Sequence, residues 1–302
     1  MTLPVDKRVV VLGGSGFLGR AVCARLHAQG VDVTAMSRQT DPHNPPWKHV
    51  PVDAEDSAAL SAALKAARPD IIFHLAGLAS ARPERELVRP MLRSHVMSIL
   101  NVLDYAAEAG CDRVICTASL EEPVPPESVA RSPYAVAKWA AGAYGQMYQA
   151  LYGTPVVFAR VFMVYGPGPQ NLNKVLPYAA LSMLRGESPA LSSGSRAFDW
   201  VYIDDVAKGL VACATAPGIE GRRIDIGSGE TRTVQEVVNL AADLIGSSVR
   251  PSFGALPDRV ERSVTRANVD EAHALTGWRP SIGLREGVGR TIEWLRQNAL
   301  GR

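Results

Sequence analysis

The sequence predicts an α/β protein, a doubly wound parallel sheet joined to a smaller α/β domain toward the C-terminus. Three observations carry that prediction. Short β-branched runs alternate with amphipathic helical segments through the first half of the chain. A glycine-rich turn separates the first such run from the first helix. Beyond Gly166 the alternation loosens and Pro and Gly cluster, which marks a change of architecture.

Each element has its own signal. Residues 8–12 form a β-branched run. Residues 17–29 read as a helix, with Leu18, Val22 and Leu26 on one stripe. Residues 31–36 are a second strand, and residues 41–51, with four prolines, read as a loop. A helix over 57–67, a strand over 71–75, a long helix over 90–109 and a strand over 114–117 follow. The next pair is a helix over 133–151 and a strand over 155–164. Later come a helix over 175–184, a strand-then-helix pattern over 199–216, and helices over 233–244 and 285–297. The expected division is a first domain over 1–165, joined by 198–226. A second domain is expected over 166–197 and 227–302, interwoven with the first.

Composition narrows the function classes. With 302 residues the chain can bury a large core. Its net charge of +2 gives no basic footprint for nucleic acid or an anionic membrane. The start, MTLPVDKR, has no apolar signal segment, and no run of about 18 apolar residues occurs. Cys23, Cys111, Cys116 and Cys213 show neither CxxC nor metal-ligand spacing, so no metal site is expected. These features suit a soluble, cytoplasmic protein in a reducing compartment.

VVVLGGSGFLG places Gly13, Gly16 and Gly19 between the first strand and the first helix. Glycines there allow a tight turn and a close approach to a pyrophosphate, which the helix N-terminus attracts. The second strand ends in Ser37 and Arg38, where a carboxylate would hold a ribose 2′-hydroxyl. A hydroxyl and a guanidinium instead suit a 2′-phosphate, so NADP(H) is favoured over NAD(H). Asp53, followed by Ala54, ends a short strand before a helix; it can accept from an adenine amino group or cap that helix. His74-Leu75-Ala76-Gly77 ends the strand over 71–75, and the small residues at Leu75, Ala76 and Gly77 would let a cofactor lie on the backbone. His74 reads as a packed side chain.

Ser132-Pro133-Tyr134 reads as a helix start, with serine at the N-cap and proline at N1. Lys138 then shares a face with Tyr134 at i+4. An ammonium about 4 Å from a phenol, at an effective dielectric near 20, is worth about 4 kcal/mol. That lowers a phenol pKa by up to about three, enough to make the tyrosine a proton-transfer group. A run of small hydroxyl residues, Thr117 and Ser119, precedes the pair Glu121-Glu122. In an extended chain Glu121 would project to the side of Ser119 and Glu122 to the other, toward solvent.

GGSGFLG, HLAG, TAS and SPYAVAK occur in that order on successive elements. RVFMVYGPG, FDWVYIDDVAKGL, IDIGSGE and TGWRP follow. On these motifs the chain resembles the extended short-chain dehydrogenase/reductase family, in its branch acting on nucleotide-diphosphate sugars. The resemblance implies a Rossmann domain and a substrate domain. It implies Tyr134 as general acid/base at a sugar oxygen, Lys138 on the nicotinamide ribose, and Ser119 on the same sugar oxygen. It implies that Phe17 and Leu18 present backbone amides to the pyrophosphate, and that the protein is a homodimer.

Departures from the family pattern bear on the substrate. Leu120 stands where C4–C6 dehydratases often carry aspartate, and Glu121 follows it as a candidate catalytic carboxylate. Met163 replaces a usual asparagine near the substrate diphosphate, and His95 stands where asparagine is common. The usual Arg-Asp pair reads Phe198-Asp199, with Arg196 displaced. Lys174, Arg196 and Arg259 are the candidate diphosphate cations. The expected reaction is NADPH-dependent reduction of a nucleotide-diphospho-4-keto-6-deoxy sugar. The alternatives are a 4-epimerase holding its cofactor, a 4,6-dehydratase, and a cofactor-sensing protein of the same fold.

Overall fold

Val9, Val10, Val11 and Leu12 are all buried, as a strand covered on both faces of a parallel sheet requires. They form β1 (Arg8–Leu12), an interior strand of a seven-stranded sheet. The computed structural model describes residues 2–39, 41, 44–123, 129–258 and 266–300, and divides into two units. The first holds the chain to Val161 together with Ala207–Asp225 and Asp270–Trp278. The second holds Phe162–Val206, Ile226–Val269 and the chain from Arg279.

In the first unit, α1 (Phe17–Ala28), β2 (Asp32–Ser37), β3 (Lys48–Pro51), α2 (Ser57–Ala67) and β4 (Ile71–His74) follow β1. Next come α3 (Val88–Met91), a π-helical turn (Leu92–Met97), α4 (Ser98–Ala109), β5 (Arg113–Ser119), α5 (Pro133–Tyr152) and β6 (Val156–Val161). With β9 (Arg223–Ile226) from later in the chain, the strand order is β3-β2-β1-β4-β5-β6-β9, with parallel pairing from β3 through to β6. Order reverses between β1 and β4, the place where open α/β sheets bind ligands at their carboxyl ends. Leu60 and Leu64 of α2 and Val102 and Leu103 of α4 close over Leu12, Met36 and Ile72. This is the doubly wound sheet that the alternation predicts.

Two details differ from the sequence reading. The proline-rich stretch expected as loop contributes β3, which pairs with β2 from Thr34↔Lys48 to Ser37↔Pro51. Pro51 is tolerated because β3 is the sheet's edge and Pro51 is its last residue. The helix expected over 90–109 starts earlier and carries a π-helical turn, at which Ser98 Oγ donates to Ser94 O at 2.7 Å.

The second unit is built on a three-stranded sheet, β10-β8-β7, from β7 (Met163–Tyr165), β8 (Ala197–Tyr202) and β10 (Thr231–Thr233). α6 (Val175–Leu184), α8 (Val234–Ile245) and α10 (Leu284–Asn298) pack together. Between β8 and β10, α7 (Ile203–Thr215) and β9 (Arg223–Ile226) return the chain to the first sheet, and α9 (Val269–Thr276) follows α8. Asp199 is buried as an acceptor hub, taking N–H bonds from Ser228 at 2.6 Å, Gly229 at 2.9 Å and Ala267 at 3.0 Å. Among the described residues no helix is long and apolar enough to cross a membrane.

Candidate active site

The glycine turn is shaped by what a side chain would strike. Gly13 has φ +81°, in the left-handed region, and a β-carbon there would stand 2.7 Å from Ala76 N. The turns after β1 and β4 therefore touch at the point of reversal. A β-carbon at Gly19 would stand 2.1 Å from Gly13 O. Gly16 is the N-cap of α1, so the amides of Phe17, Leu18 and Gly19 open the helix with no carbonyl one turn back. That close-packed turn with a helix N-terminus fits a dinucleotide pyrophosphate. Leu75, Ala76 and Gly77 follow β4, and a β-carbon at Gly77 would stand 2.2 Å from His95 Cε1.

At the end of β2, Ser37 Oγ donates to Gln39 O at 2.9 Å and lies 2.8 Å from His49 Nε2. Arg38 is exposed. The cap of α2 is Asp56, whose carboxylate accepts from Ala59 N at 3.0 Å. Asp53 instead accepts from Glu55 N at 3.0 Å, which removes capping as its role. Ala54 O accepts from Asn101 Nδ2 at 2.9 Å. Sequence reading missed the pair of buried Asp41 with Arg20, one residue past Gly19, at 2.8 Å. No local pattern links the two.

Ser132 caps α5 through Ala135 N at 3.2 Å, with Pro133 in the first turn, as its sequence predicts. This start sets Tyr134 beside Ser119 of β5, and the two side chains hydrogen-bond. Lys138 is buried, and its Nζ donates to Thr117 O and Thr117 Oγ1, both at 2.8 Å. Burial pulls the Lys138 pKa down to about 8. Lysine was expected to lower the tyrosine pKa. Here burial wins and holds Tyr134 above its ordinary value, with the Ser119 hydrogen bond pulling the other way. His95 stacks edge-on to Tyr134 with ring centroids 5.2 Å apart. His74 is packed as expected, 2.9 Å from Ser98 Oγ. Burial lowers both imidazoles to about 3, so both are neutral at pH 7.

β5 does not stay extended past Ser119. Glu122 N donates to Ser119 O at 3.2 Å, closing a turn, and Glu121 N donates to Ser119 Oγ at 3.1 Å. Strand alternation therefore fails: Glu122, expected toward solvent, turns inward, while Glu121 is half-buried. Glu122 is the buried one: its carboxylate accepts from Ser119 N at 2.6 Å and pairs with Arg223 at 2.8 Å. Glu121 meets Ser119 through its amide. Because Ser119 Oγ accepts from that amide, its own proton is left to donate toward Tyr134 or a substrate oxygen.

A model of the NAD dependent epimerase/dehydratase family matches residues 9–227. The chain belongs to this family. It is 28% identical to a UDP-glucose 4-epimerase of Mycolicibacterium smegmatis, over 97% of this chain and 99% of that one. A UDP-glucose 4-epimerase of Thermus thermophilus in complex with NAD superposes with a TM-score of 0.85 at 25% identity, covering 97% and 100% of the two chains. MoeE5 in complex with UDP-glucuronic acid and NAD superposes at the same TM-score and 29% identity, covering 96% and 99%. The family supplies a nicotinamide-dependent enzyme of the nucleotide-sugar type.

Within this epimerase/dehydratase chain the expected substrate residues fall in the second unit. Met163 opens β7, Lys174 is the N-cap residue of α6, and the Arg196 guanidinium lies 4.4 Å over the Phe198 ring. Arg259 lies outside the described residues. Asp199 serves as the acceptor hub of the second unit. Among the described residues no cluster of three or more His, Cys, Asp or Glu could hold a metal ion.

Proposed function

We propose that this protein is a nucleotide-sugar 4-epimerase acting on a UDP-hexose or UDP-hexuronic acid. The observation that carries the reading is Tyr134 beside Ser119 at the end of β5, one helical turn from Lys138, whose Nζ bonds Thr117 of the same strand. The relatives favour this over the reduction that Ser37-Arg38 first suggests. A bound nicotinamide would supply reversible hydride transfer at the sugar carbon. Tyr134 takes the hydroxyl proton at that carbon as phenolate and gives it back as phenol. Ser119 donates to the same oxygen in both directions. Lys138 supplies positive charge at the ribose and phenol, where neutral His74 and His95 add none. Phe17 and Leu18 amides hold the pyrophosphate. Lys174, Arg196 and Arg259 are the proposed cations for the sugar's diphosphate.

A net reductase using NADPH is the second reading, favoured by the absence of a carboxylate at the end of β2. The two differ in stoichiometry. UDP-glucose and UDP-glucuronic acid should each be tested for inversion at C4 without net cofactor use. Stoichiometric NADPH loss with a gain of two hydrogens on a 4-keto substrate, and no inversion, overturns the epimerase. Tyr134→Phe is expected to cut turnover by about 10²–10⁴ while cofactor binding persists.

We also propose a homodimer. Val88, Leu92 and Val136 are exposed and line a groove of about 400 Å³, and Trp139 and Tyr144 are exposed on α5. A second copy presenting the same face would bury them, and sedimentation of a Trp139→Glu variant as monomer against a wild-type dimer tests this.

A further inference from the structure

The catalytic set contains a charge that the proposed chemistry does not use. Glu122 is 7% exposed, the most enclosed acidic group around Ser119. It is held from two sides. Ser119 N donates to one oxygen at 2.6 Å, and Arg223, at the start of β9, reaches the other at 2.8 Å. Room for that guanidinium comes from α5, because a β-carbon at Gly142 would stand 3.0 Å from Arg223 Nη2. A second pair, Arg160 with Asp225 at 2.7 Å, lies within the electrostatic reach of Glu122. The cost of burying this carboxylate is offset by a counter-charge on one oxygen and an amide hydrogen bond on the other.

The groups facing Lys138 single out Glu122. Thr117 is neutral. Burial holds the Cys116 thiol up at about 12, and it leaves His74 and His95 uncharged. Glu122 is thus the anion that acts on Lys138, opposing the burial that drives its proton off. It acts on Tyr134 as well, disfavouring the phenolate. We propose that Glu122 is a positioning residue of this centre: anchored by Arg223, it pins the main chain at Ser119 and turns a buried negative charge toward Lys138 and Tyr134. This rests on the reading of Ser119, Tyr134 and Lys138 as the catalytic set.

The sign is fixed by the charge. Removing the anion makes a protonated Lys138 less favourable and a Tyr134 phenolate more favourable. Both titrations move to lower pH, and the bell-shaped turnover profile moves with them. Removing Arg223 unmasks the anion and moves both to higher pH. A residue that only supports the fold gives no such pair of opposite shifts.

The test is a carbon-13 NMR titration of the Lys138 ε-carbon in the full chain, assigned by its loss in Lys138→Met. Glu122→Gln is expected to lower the Lys138 midpoint by about one pH unit, and Arg223→Met to raise it. In steady state the profile of kcat moves the same way, while KM for the sugar holds. Wild-type midpoints in both variants, or shifts of the same sign, overturn the proposal. If Glu122→Gln does not fold, Arg223→Met alone decides. The titration needs no substrate, so a protein that inverts no nucleotide sugar loses its proposed function while this result still stands or falls separately.

Discussion

Two turns close the carboxyl ends of strands on either side of β4, and they are built on opposite principles. The turn after β1 is made of absences. Gly13 and Gly19 lie so close to Ala76 and to each other that no β-carbon fits. The turn after β5 is made of a charge. Glu122 doubles back on Ser119, and its counter-charge arrives on Arg223 from the far edge of the sheet. The first needs residues a few positions apart. The second needs a partner that only the completed topology delivers. Steric demands of the backbone are thus written locally, whereas a buried ion pair is not.

The largest expected effect is at the charged turn. Glu122→Ala leaves the Arg223 guanidinium without its counter-charge and the Ser119 amide without its acceptor. Breaking one side of a buried pair costs about 3–5 kcal/mol. Urea denaturation of the variant should show that loss, and Glu122→Ala with Arg223→Leu should recover part of it. A loss under about 1 kcal/mol would place this turn with ordinary surface ion pairs and end the contrast.

What the sequence makes legible follows the same division. The glycine turn, the Ser132 cap and the Tyr134–Lys138 spacing are local, and each stands where its pattern places it. The doubly wound sheet is legible because alternation is a long-range signal made of local periods. Glu122 departs from its expected solvent-facing place because period-2 alternation assumes a strand, and β5 ends at Ser119. Asp53 was one turn off, since either Asp53 or Asp56 can cap a helix and only the backbone angles choose. The Tyr134 pKa went the other way because an i+4 lysine predicts attraction, while depth of burial is not written in the spacing.

The glycine turn offers the next effect in size, and it can be graded. Gly19→Ala puts a β-carbon 2.1 Å from Gly13 O and 2.8 Å from Gly14 Cα, so the backbone must open. Cofactor affinity is expected to fall about a hundredfold, or about 2.7 kcal/mol, in a calorimetric titration with NAD(H). Gly16→Ala meets only Gly13 O, at 3.2 Å, and should cost less than about threefold. Equal losses at the two positions would mean that helix propensity, not the close approach, sets the cofactor site.

The smallest expected effect is at Ser37, where the local rule can be tested without a steric clash. Its hydroxyl donates to Gln39 O and meets His49 Nε2, so the β2 end presents no negative charge at that position. Ser37→Asp adds one. A carboxylate accepts from a ribose 2′-hydroxyl and repels a 2′-phosphate. The ratio of NADP(H) to NAD(H) affinity should drop about tenfold, or about 1.4 kcal/mol. A ratio that does not move shows that Ser37 lies outside the reach of the ribose, and that the cofactor end is read from its glycines alone.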